Sequence, residues 1–296
     1  MQRDIYEKNG YTVYNVRFAN LTDLYDYLKS NPEVNTRIFS KQSSLKSDTS
    51  FYGEPLEKAI EYCIDGYTEG FDNFLESNNE LKQANIEISD NRRLVRSFYG
   101  GVPLAPLVAA GVPDCMLKYE RDTTSTVRNI YFKLGYPWNT SNSAIVNRGL
   151  ATLFIIQALE ERGELINFRA FELSSCSDEI ANIEINLKKP GDLFLDVQKC
   201  YFPMTGKEFF RRNFFRVLES IPVRNYYWQE SYGSACDIDE IKYFYETSSK
   251  DLVISFPRDM GVYGNDLYDD TASLIKNLGL QEEFDIQKIK KLKYKE

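Results

Sequence analysis

The fold is decided by residues 126–175, which read TVRNIYFKLGYPWNTSNSAIVNRGLATLFIIQALEERGELINFRAFELSS. An apolar run that begins at Val127 predicts a strand, and the polar loop of residues 139–143 follows it. Helical periodicity over 144–162 predicts a helix, and the apolar residues of 166–173 predict a second strand. In open α/β sheets, ligands bind at the carboxyl ends of strands. This unit therefore predicts both an α/β sheet and a candidate site in its loop.

Length and composition indicate an ordinary globular protein. The chain has 296 residues, of which 43% are hydrophobic and 27% are charged, which is typical of soluble domains. No segment approaches the roughly 18 uninterrupted apolar residues of a membrane span, and the first ten residues show no apolar signal region. We therefore expect a cytoplasmic protein with no membrane partner.

The charge balance argues against a nucleic-acid partner. The net charge is −8 and the pI is about 5.0, whereas nucleic-acid binding usually needs a broad basic surface. The one dense basic run, residues 288–295, is predicted to be a solvated tail.

The chain contains no histidine, which excludes Ser-His-Asp and Cys-His catalysis and histidine metal ligands. Catalysis would have to use carboxylates, Lys, Tyr, Cys or a metal held by oxygen ligands. The five cysteines are odd in number and form no C-x-x-C pair, so we expect free thiols rather than a zinc site or a disulfide framework.

Three sections are predicted along the chain. Residues 1–48 would form a strand, a helix and a polar linker, either as a separate unit or as an addition to the main sheet. Residues 49–122 are predicted to be helices and loops, with an ordered loop or short helix over 90–121. Residues 123–296 are predicted to form the α/β domain. The fold class is α/β, with a mostly parallel sheet flanked by helices and a helical N-terminal section.

Within the last section, apolar periodicity predicts further elements. A strand is expected at 182–187, and a helix at 192–200 is expected to end at Phe202-Pro203. A helix at 206–220 and a buried parallel strand at 252–256 follow. A closing helix is expected at 270–278.

The order of these elements, with the pattern Asn139-x-Ser141-x-Ser143, resembles a von Willebrand factor A-like (Rossmann-type) domain over the C-terminal half of the chain. In that family an Asp-x-Ser-x-Ser loop, a later Thr and a later Asp bind a divalent metal. The resemblance implies that Thr205 and Asp259 complete the set and that Mg²⁺ is the bound ion. Asn139 stands where the family has Asp, and a hard dication prefers negatively charged oxygen ligands. Cation binding is therefore expected to be weak, and the loop to be a degenerate metal site.

Two other interpretations of the loop remain open. Ser141 or Ser143 can cap the following helix in any α/β protein, and a helix N-terminus can also bind an anion. Separately, Arg148, Arg211 and Arg212 could bind phosphate or carboxylate, or they could form the solvated or salt-bridging faces of their helices.

A second resemblance, to an uncharacterised family of tailed-phage proteins, covers most of the chain. It rests on FYGEPLEKA at 51–59, GYTEG at 66–70, GGVP at 100–103, GVPDCM at 111–116 and NRG at 147–149. That family combines such a front section with a von Willebrand A-like back half. The resemblance implies a phage or prophage origin.

Three functions are compatible with these patterns. The first is a non-catalytic module that binds a protein partner through the 139–143 loop. The second is a metal-dependent hydrolase of phosphate esters or nucleotides, which would need another carboxylate, such as Asp237 or Asp239, near Asn139. The third is a virion or assembly component, for which the 21 Tyr and 19 Phe residues would suit an obligate interface.

Overall fold

The computed structural model describes residues 1–34, 43, 49–84, 92–99, 102–121, 127–192, 194–224 and 234–294. Its strands are β1 (Gln2–Lys8), β2 (Tyr11–Phe18), β3 (Arg92–Ser97), β4 (Val102–Pro103), β5 (Met116–Arg121), β6 (Val127–Lys133), β7 (Leu165–Cys176), β8 (Glu179–Lys188), β9 (Ser234–Ala235) and β10 (Leu252–Ile254). Its helices are α1 (Leu21–Lys29), α2 (Thr49–Tyr52), α3 (Leu56–Asp65), α4 (Phe71–Ala84), α5 (Ala105–Ala109), α6 (Asn142–Glu161), α7 (Val197–Thr205), α8 (Phe215–Glu219), α9 (Ile238–Tyr245), α10 (Leu267–Asn277) and α11 (Ile286–Leu292). A π-helical segment, Phe209–Phe214, leads directly into α8.

The main sheet has seven strands in the order β1-β2-β8-β7-β6-β10, with β9 paired to β7. Pairing is parallel between β2 and β8, β6 and β7, and β6 and β10. It is antiparallel between β1 and β2, β7 and β8, and β7 and β9. The predicted α/β class with helices flanking the sheet is confirmed. The sheet is mixed, however, because the hairpins β1–β2 and β7–β8 interrupt the parallel strands.

The N-terminal strands belong to the main sheet. β2 pairs with β8 from Thr12 opposite Glu179 to Phe18 opposite Ile185, and β1 pairs with β2 at the edge. Of the two alternatives for residues 1–48, an extra strand and helix on the main sheet is the one observed, with β1 as a further strand at the edge. The predicted polar linker lies largely outside the described residues.

A second sheet occupies the region for which a loop or short helix was predicted. Strands β3, β5 and β4 form it in that order, all antiparallel. The prediction for 90–121 was wrong except for the short helix α5. The Gly and Pro turn signals dominate the pattern there, while β3 and β5 are rich in charged residues and show no apolar alternation.

Helix α6 lies at the centre of the core. From Arg148 to Ile156 each of its residues is buried, as expected for a helix that is apolar on every side. It contacts α7, α10 and α4. Gly149 permits the close approach to α7, because a Cβ atom there would lie 2.3 Å from the carbonyl oxygen of Met204.

Two C-terminal predictions were wrong. Pro203 lies inside α7, although proline was expected to end a helix. Burial of neighbouring side chains such as Phe202 and Met204 offsets the roughly 3 kcal/mol that an interior proline costs. The basic segment is partly a helix, α11, which buries Ile289 and Leu292 while its lysines remain exposed.

The five cysteines are free thiols, as expected. Within the described ranges, none of the helices combines the length and the apolar character required to cross a bilayer.

Candidate functional site

The loop between β6 and α6 begins the candidate site. The Ser141 hydroxyl accepts a hydrogen bond from the Ala144 N–H at 3.2 Å, so Ser141 is the N-cap of α6. Ser143 Oγ lies 3.3 Å from Ser141 Oγ, and Asn139, Ser141 and Ser143 are all exposed. The capping role predicted for Ser141 is therefore confirmed.

The other two residues of the predicted metal set bond within their own segments. The Thr205 hydroxyl, buried at the end of α7, donates to the Tyr201 carbonyl at 2.7 Å. Asp259 is exposed after β10 and accepts from Ser255 Oγ at 3.3 Å. Because β10 pairs with β6 and α7 contacts α6, the fold brings these segments to the region of the loop.

The residues present do not fit a hard dication. Asp259 is the one carboxylate of the predicted set, and across the described residues no group of three His, Cys, Asp or Glu side chains is placed to hold a metal. The Arg148 guanidinium also donates to the Ser255 carbonyl at 2.7 Å, which puts a positive charge beside the residue that contacts Asp259. Mg²⁺ prefers several oxygen ligands with negative charge nearby, and a cation this close opposes it.

The second carboxylate required for a hydrolase has another role. Asp237 caps α9 by accepting from the N–H groups of Asp239 and Glu240, both at 2.9 Å. Ile241 of the same helix packs in a small separate cluster with Tyr131 and Phe171. Asp237 is accounted for by helix capping, and Asp239 lies in the first turn of α9, where a negative charge is favourable beside the positive end of the helix.

Arg148 is enclosed rather than on a solvated face. Its side chain is 1% exposed, and its guanidinium lies 4.3 Å from the centre of the Phe132 ring. Burial lowers the pKa of Arg148 to about 10, and its Nε has no hydrogen-bond partner. The side chain is therefore part of the core beneath the loop and is not available to an external phosphate.

Arg211 and Arg212 hold a neighbouring segment of the chain. Both are buried, and both donate to backbone carbonyls: Arg211 Nη1 to Phe51 at 2.6 Å, and Arg212 Nε to Glu54 at 2.9 Å. Arg211 also lies 3.8 Å from the centre of the Phe51 ring. The interpretation of Arg211 and Arg212 as a solvated face was wrong, because both side chains are buried where the π-helical segment packs on the chain around Phe51.

Two exposed aromatic side chains flank the loop. Trp138 is 79% exposed and Tyr263, on the loop before α10, is 60% exposed. The two loops meet where a Cβ atom on Gly264 would lie 2.4 Å from Ser143 Oγ. Buried Asp270 fixes the second loop by accepting from the Tyr263 and Gly264 N–H groups, both at 2.9 Å.

We call the exposed residues of these two loops the loop face: Trp138, Asn139, Ser141, Ser143 and Tyr263. Sequence patterns marked the three polar members, and Trp138 directly precedes Asn139, but nothing in the sequence indicated that Tyr263 would join them.

A cleft of about 550 Å³ opens beside the start of α6. Its lining includes Tyr67, Glu69, Phe74, Asn142, Tyr201 and Glu208. This volume is in the range of small-molecule and side-chain pockets. Asn142 lies between the two serines of the loop face in sequence, so the cleft and the loop face adjoin.

The fold and site define a mixed α/β domain with an aromatic loop face and an adjoining polar cleft. The chain belongs to the family described as Domain of unknown function (DUF7192), whose model matches residues 4–282. That match runs from β1 past α10 and includes both sheets. Comparison with curated proteins and with solved structures found no match.

Proposed function

We propose that this chain is a non-catalytic protein-binding module that contacts its partner through the loop face. The observation that carries the proposal is the exposure of Trp138 and Tyr263 on two loops that touch each other. Tryptophan and tyrosine are, with arginine, enriched among the residues that dominate binding energy at interfaces. The flanking polar residues, Asn139 and Ser143, would form the rim.

The chemistry of the chain supports a non-catalytic role. It has no histidine, and burial raises the pKa of the thiols of Cys63 and Cys200. Raised thiol pKa values leave little of the nucleophilic thiolate. The resemblances to von Willebrand A-like domains and to tailed-phage proteins support a phage- or prophage-encoded binding role, and this part of the proposal rests on resemblance.

A second candidate, a virion or assembly component, is favoured by the small sheet. Phe98 and Tyr99 follow β3 and are 75% and 70% exposed, and Val108 on α5 is 49% exposed. Large apolar side chains clustered in one short region are typical of assembly surfaces.

The experiment compares capture of partners by immobilised wild type and by the double variant Trp138→Ala, Tyr263→Ala, from a lysate of the natural host. We expect the variant to lose a protein that wild type retains, because Ala removes both aromatic anchors. Tyr294→Ala, which removes another strongly exposed aromatic, is the matched control and should retain it. Equal capture by all three proteins would contradict the proposal that the loop face binds the partner.

The second candidate has its own readout. Light scattering on wild type and on Phe98→Ser, Tyr99→Ser would show an oligomer that dissociates in the variant. A wild type that stays monomeric at all concentrations would argue against an assembly role.

A further inference from the structure

We propose that the cleft beside α6 binds a cationic group, an ammonium or a guanidinium, and that the natural occupant is a lysine or arginine side chain of the protein partner. The partner part of this proposal rests on the proposed function. The preference for a cation rests on the walls of the cleft alone.

Glu208 is the first of these observations. It lines the cleft and is only 5% exposed. Its Oε1 accepts a hydrogen bond from the Glu54 N–H at 3.2 Å, while no described residue donates to its Oε2. Within the described residues no Lys or Arg nitrogen lies within ion-pair distance of this carboxylate. A buried carboxylate without a charged partner is costly, and a cation entering the cleft would offset that cost.

Aromatic rings form a second, independent feature of the cleft. The rings of Tyr67 and Tyr201 are stacked, with centroids 6.2 Å apart and planes 25° from parallel, and Phe74 lies 5.7 Å from Tyr201. Ammonium and guanidinium groups are attracted to the faces of such rings. A cleft lined by aromatic rings and by a buried carboxylate favours a cation that carries an apolar stem.

The remaining charges of the cleft agree with this assignment. Glu69 is exposed at the rim, where its carboxylate accepts from the Tyr67 hydroxyl at 2.7 Å. Burial raises the pKa of Tyr67, and the hydrogen bond to Glu69 and the charge of Glu208 raise it further. Among the described residues, three carboxylates, Glu54, Glu69 and Glu208, line the cleft against one cation, Lys207. Lys207 donates to the Ser50 carbonyl at 2.8 Å and keeps its charge, so the cleft stays net acidic.

Position and overall charge indicate a partner side chain as the occupant. The cleft reaches Asn142, which lies between Ser141 and Ser143 of the loop face. A partner seated on the loop face could therefore insert a neighbouring side chain. The net charge of −8 also favours association with a basic partner over an acidic one.

The test measures binding of four probes to the full chain by calorimetric titration: N-acetyl-lysine amide, N-acetyl-arginine amide, spermidine and the neutral N-acetyl-norleucine amide. We expect the two blocked basic amino acids to bind and the norleucine probe not to bind. Glu208→Gln keeps an oxygen acceptor for the Glu54 N–H and removes the charge. It should weaken binding of both cations about tenfold, the equivalent of one charge-assisted contact of roughly 1.4 kcal/mol.

Controls separate the cleft from the loop face and from general charge effects. Glu69→Gln changes the exposed carboxylate of the cleft and should weaken binding less than Glu208→Gln. It also tests the charge of the cleft if Glu208→Gln does not fold. Glu282→Gln, an exposed carboxylate near the C-terminus, should leave binding unchanged. Trp138→Ala, Tyr263→Ala should also leave probe affinity unchanged, which distinguishes failure of the cleft from failure of the loop face.

Three outcomes would overturn the proposal. Equal affinity for the lysine and norleucine probes would show that charge is not recognised. No binding of any cation would remove the site. Much tighter binding of spermidine than of either blocked amino acid would show that the occupant is a free polyamine and not a partner side chain.

Discussion

Gly53 lies so close to Glu208 that a Cβ atom on Gly53 would stand 2.0 Å from Glu208 Oε1. The backbone of Gly53 is left-handed, with φ at +72°, and its carbonyl accepts from Arg212 Nη2 at 3.3 Å. The Gly53-Glu54-Pro55 sequence is therefore fitted against the helical segment that carries Glu208 and Arg212. In the sequence, this stretch indicated only a family resemblance. In the structure, Gly53 and Glu54 line the cleft.

Replacement of Gly53 by alanine should strongly destabilise the chain. The left-handed backbone costs a non-glycine residue roughly 1–2 kcal/mol, and displacement of Glu208 adds an overpacking cost of about 1–3 kcal/mol. From the sum of these two costs, we expect the free energy of unfolding, measured by urea denaturation, to fall by at least about 2 kcal/mol.

Gly10→Ala is the matched control for that variant. Gly10 has a similar φ of +83°, and nothing lies within 4 Å of its missing Cβ atom. Its variant should lose only the backbone contribution, so the difference between the two variants measures the contact with Glu208. Equal losses in the two variants would show that Glu208 moves away without cost.

The sequence predicted the centre of the fold because that centre is strongly apolar. Long periodic apolar runs mark β6, α6 and β7, and a short continuous run marks the parallel strand β10. Burial enforces such patterns. The small sheet was missed because β3 and β5 carry charged residues along their length. The prediction that a helix ends at Phe202-Pro203 was wrong because tertiary packing can override a local helix breaker.

The candidate site was predictable only where local chemistry determines it. Ser141 caps α6 for a local reason, because its hydroxyl and the N–H group that it binds lie within the four residues 141–144. Glu208 and Arg212 owe their burial to a π-helical turn and to a chain segment more than 150 positions away, and no local pattern encodes either. Tyr263 joins Trp138 through the contact of two distant loops, which is likewise a tertiary effect.

The two serines of the loop should differ in their effect on stability. Ser141→Ala removes the cap of α6 and should reduce the free energy of unfolding by about 1 kcal/mol. Ser143→Ala, which changes an exposed hydroxyl, should stay within about 0.5 kcal/mol of wild type. Chemical denaturation of both single variants tests this, and a larger loss for Ser143→Ala would indicate a structural role for its contact with Gly264. Each variant should weaken partner capture only if its hydroxyl contacts the partner.

Stability should depend on Tyr14 at alkaline pH. Burial, followed by a hydrogen bond from its hydroxyl to Glu179 at 2.8 Å, raises the pKa of Tyr14 from 10.0 to about 12. Between these values the unfolded chain releases the phenolic proton while the folded chain keeps it. The unfolded state then binds fewer protons, so stability falls as pH rises. The stabilising contribution is thus fully present below pH 10 and is lost as pH approaches 12.

Tyr14→Phe isolates this contribution. Wild type should exceed the variant in free energy of unfolding below pH 10, and the excess should shrink as pH rises toward 12. Denaturant titrations across that window check the slope. A difference that stays constant with pH would show that Tyr14 titrates alike in the folded and unfolded chains.

Divalent cations should not stabilise this protein. A ligand that binds only the folded state raises stability by mass action, but the predicted metal set offers one carboxylate, Asp259. The hydroxyl of Ser255 donates to Asp259, and the carbonyl of Ser255 accepts from the buried cation Arg148. We expect the same melting temperature with and without millimolar Mg²⁺, Mn²⁺ or Ca²⁺, in wild type and in Asp259→Ala. A metal-dependent rise in wild type that disappears in Asp259→Ala would establish the site despite Asn139, and would return a metal-dependent hydrolase to consideration. A rise that persists in Asp259→Ala would place the cation elsewhere, and the acidic cleft around Glu208 would be the next position to test.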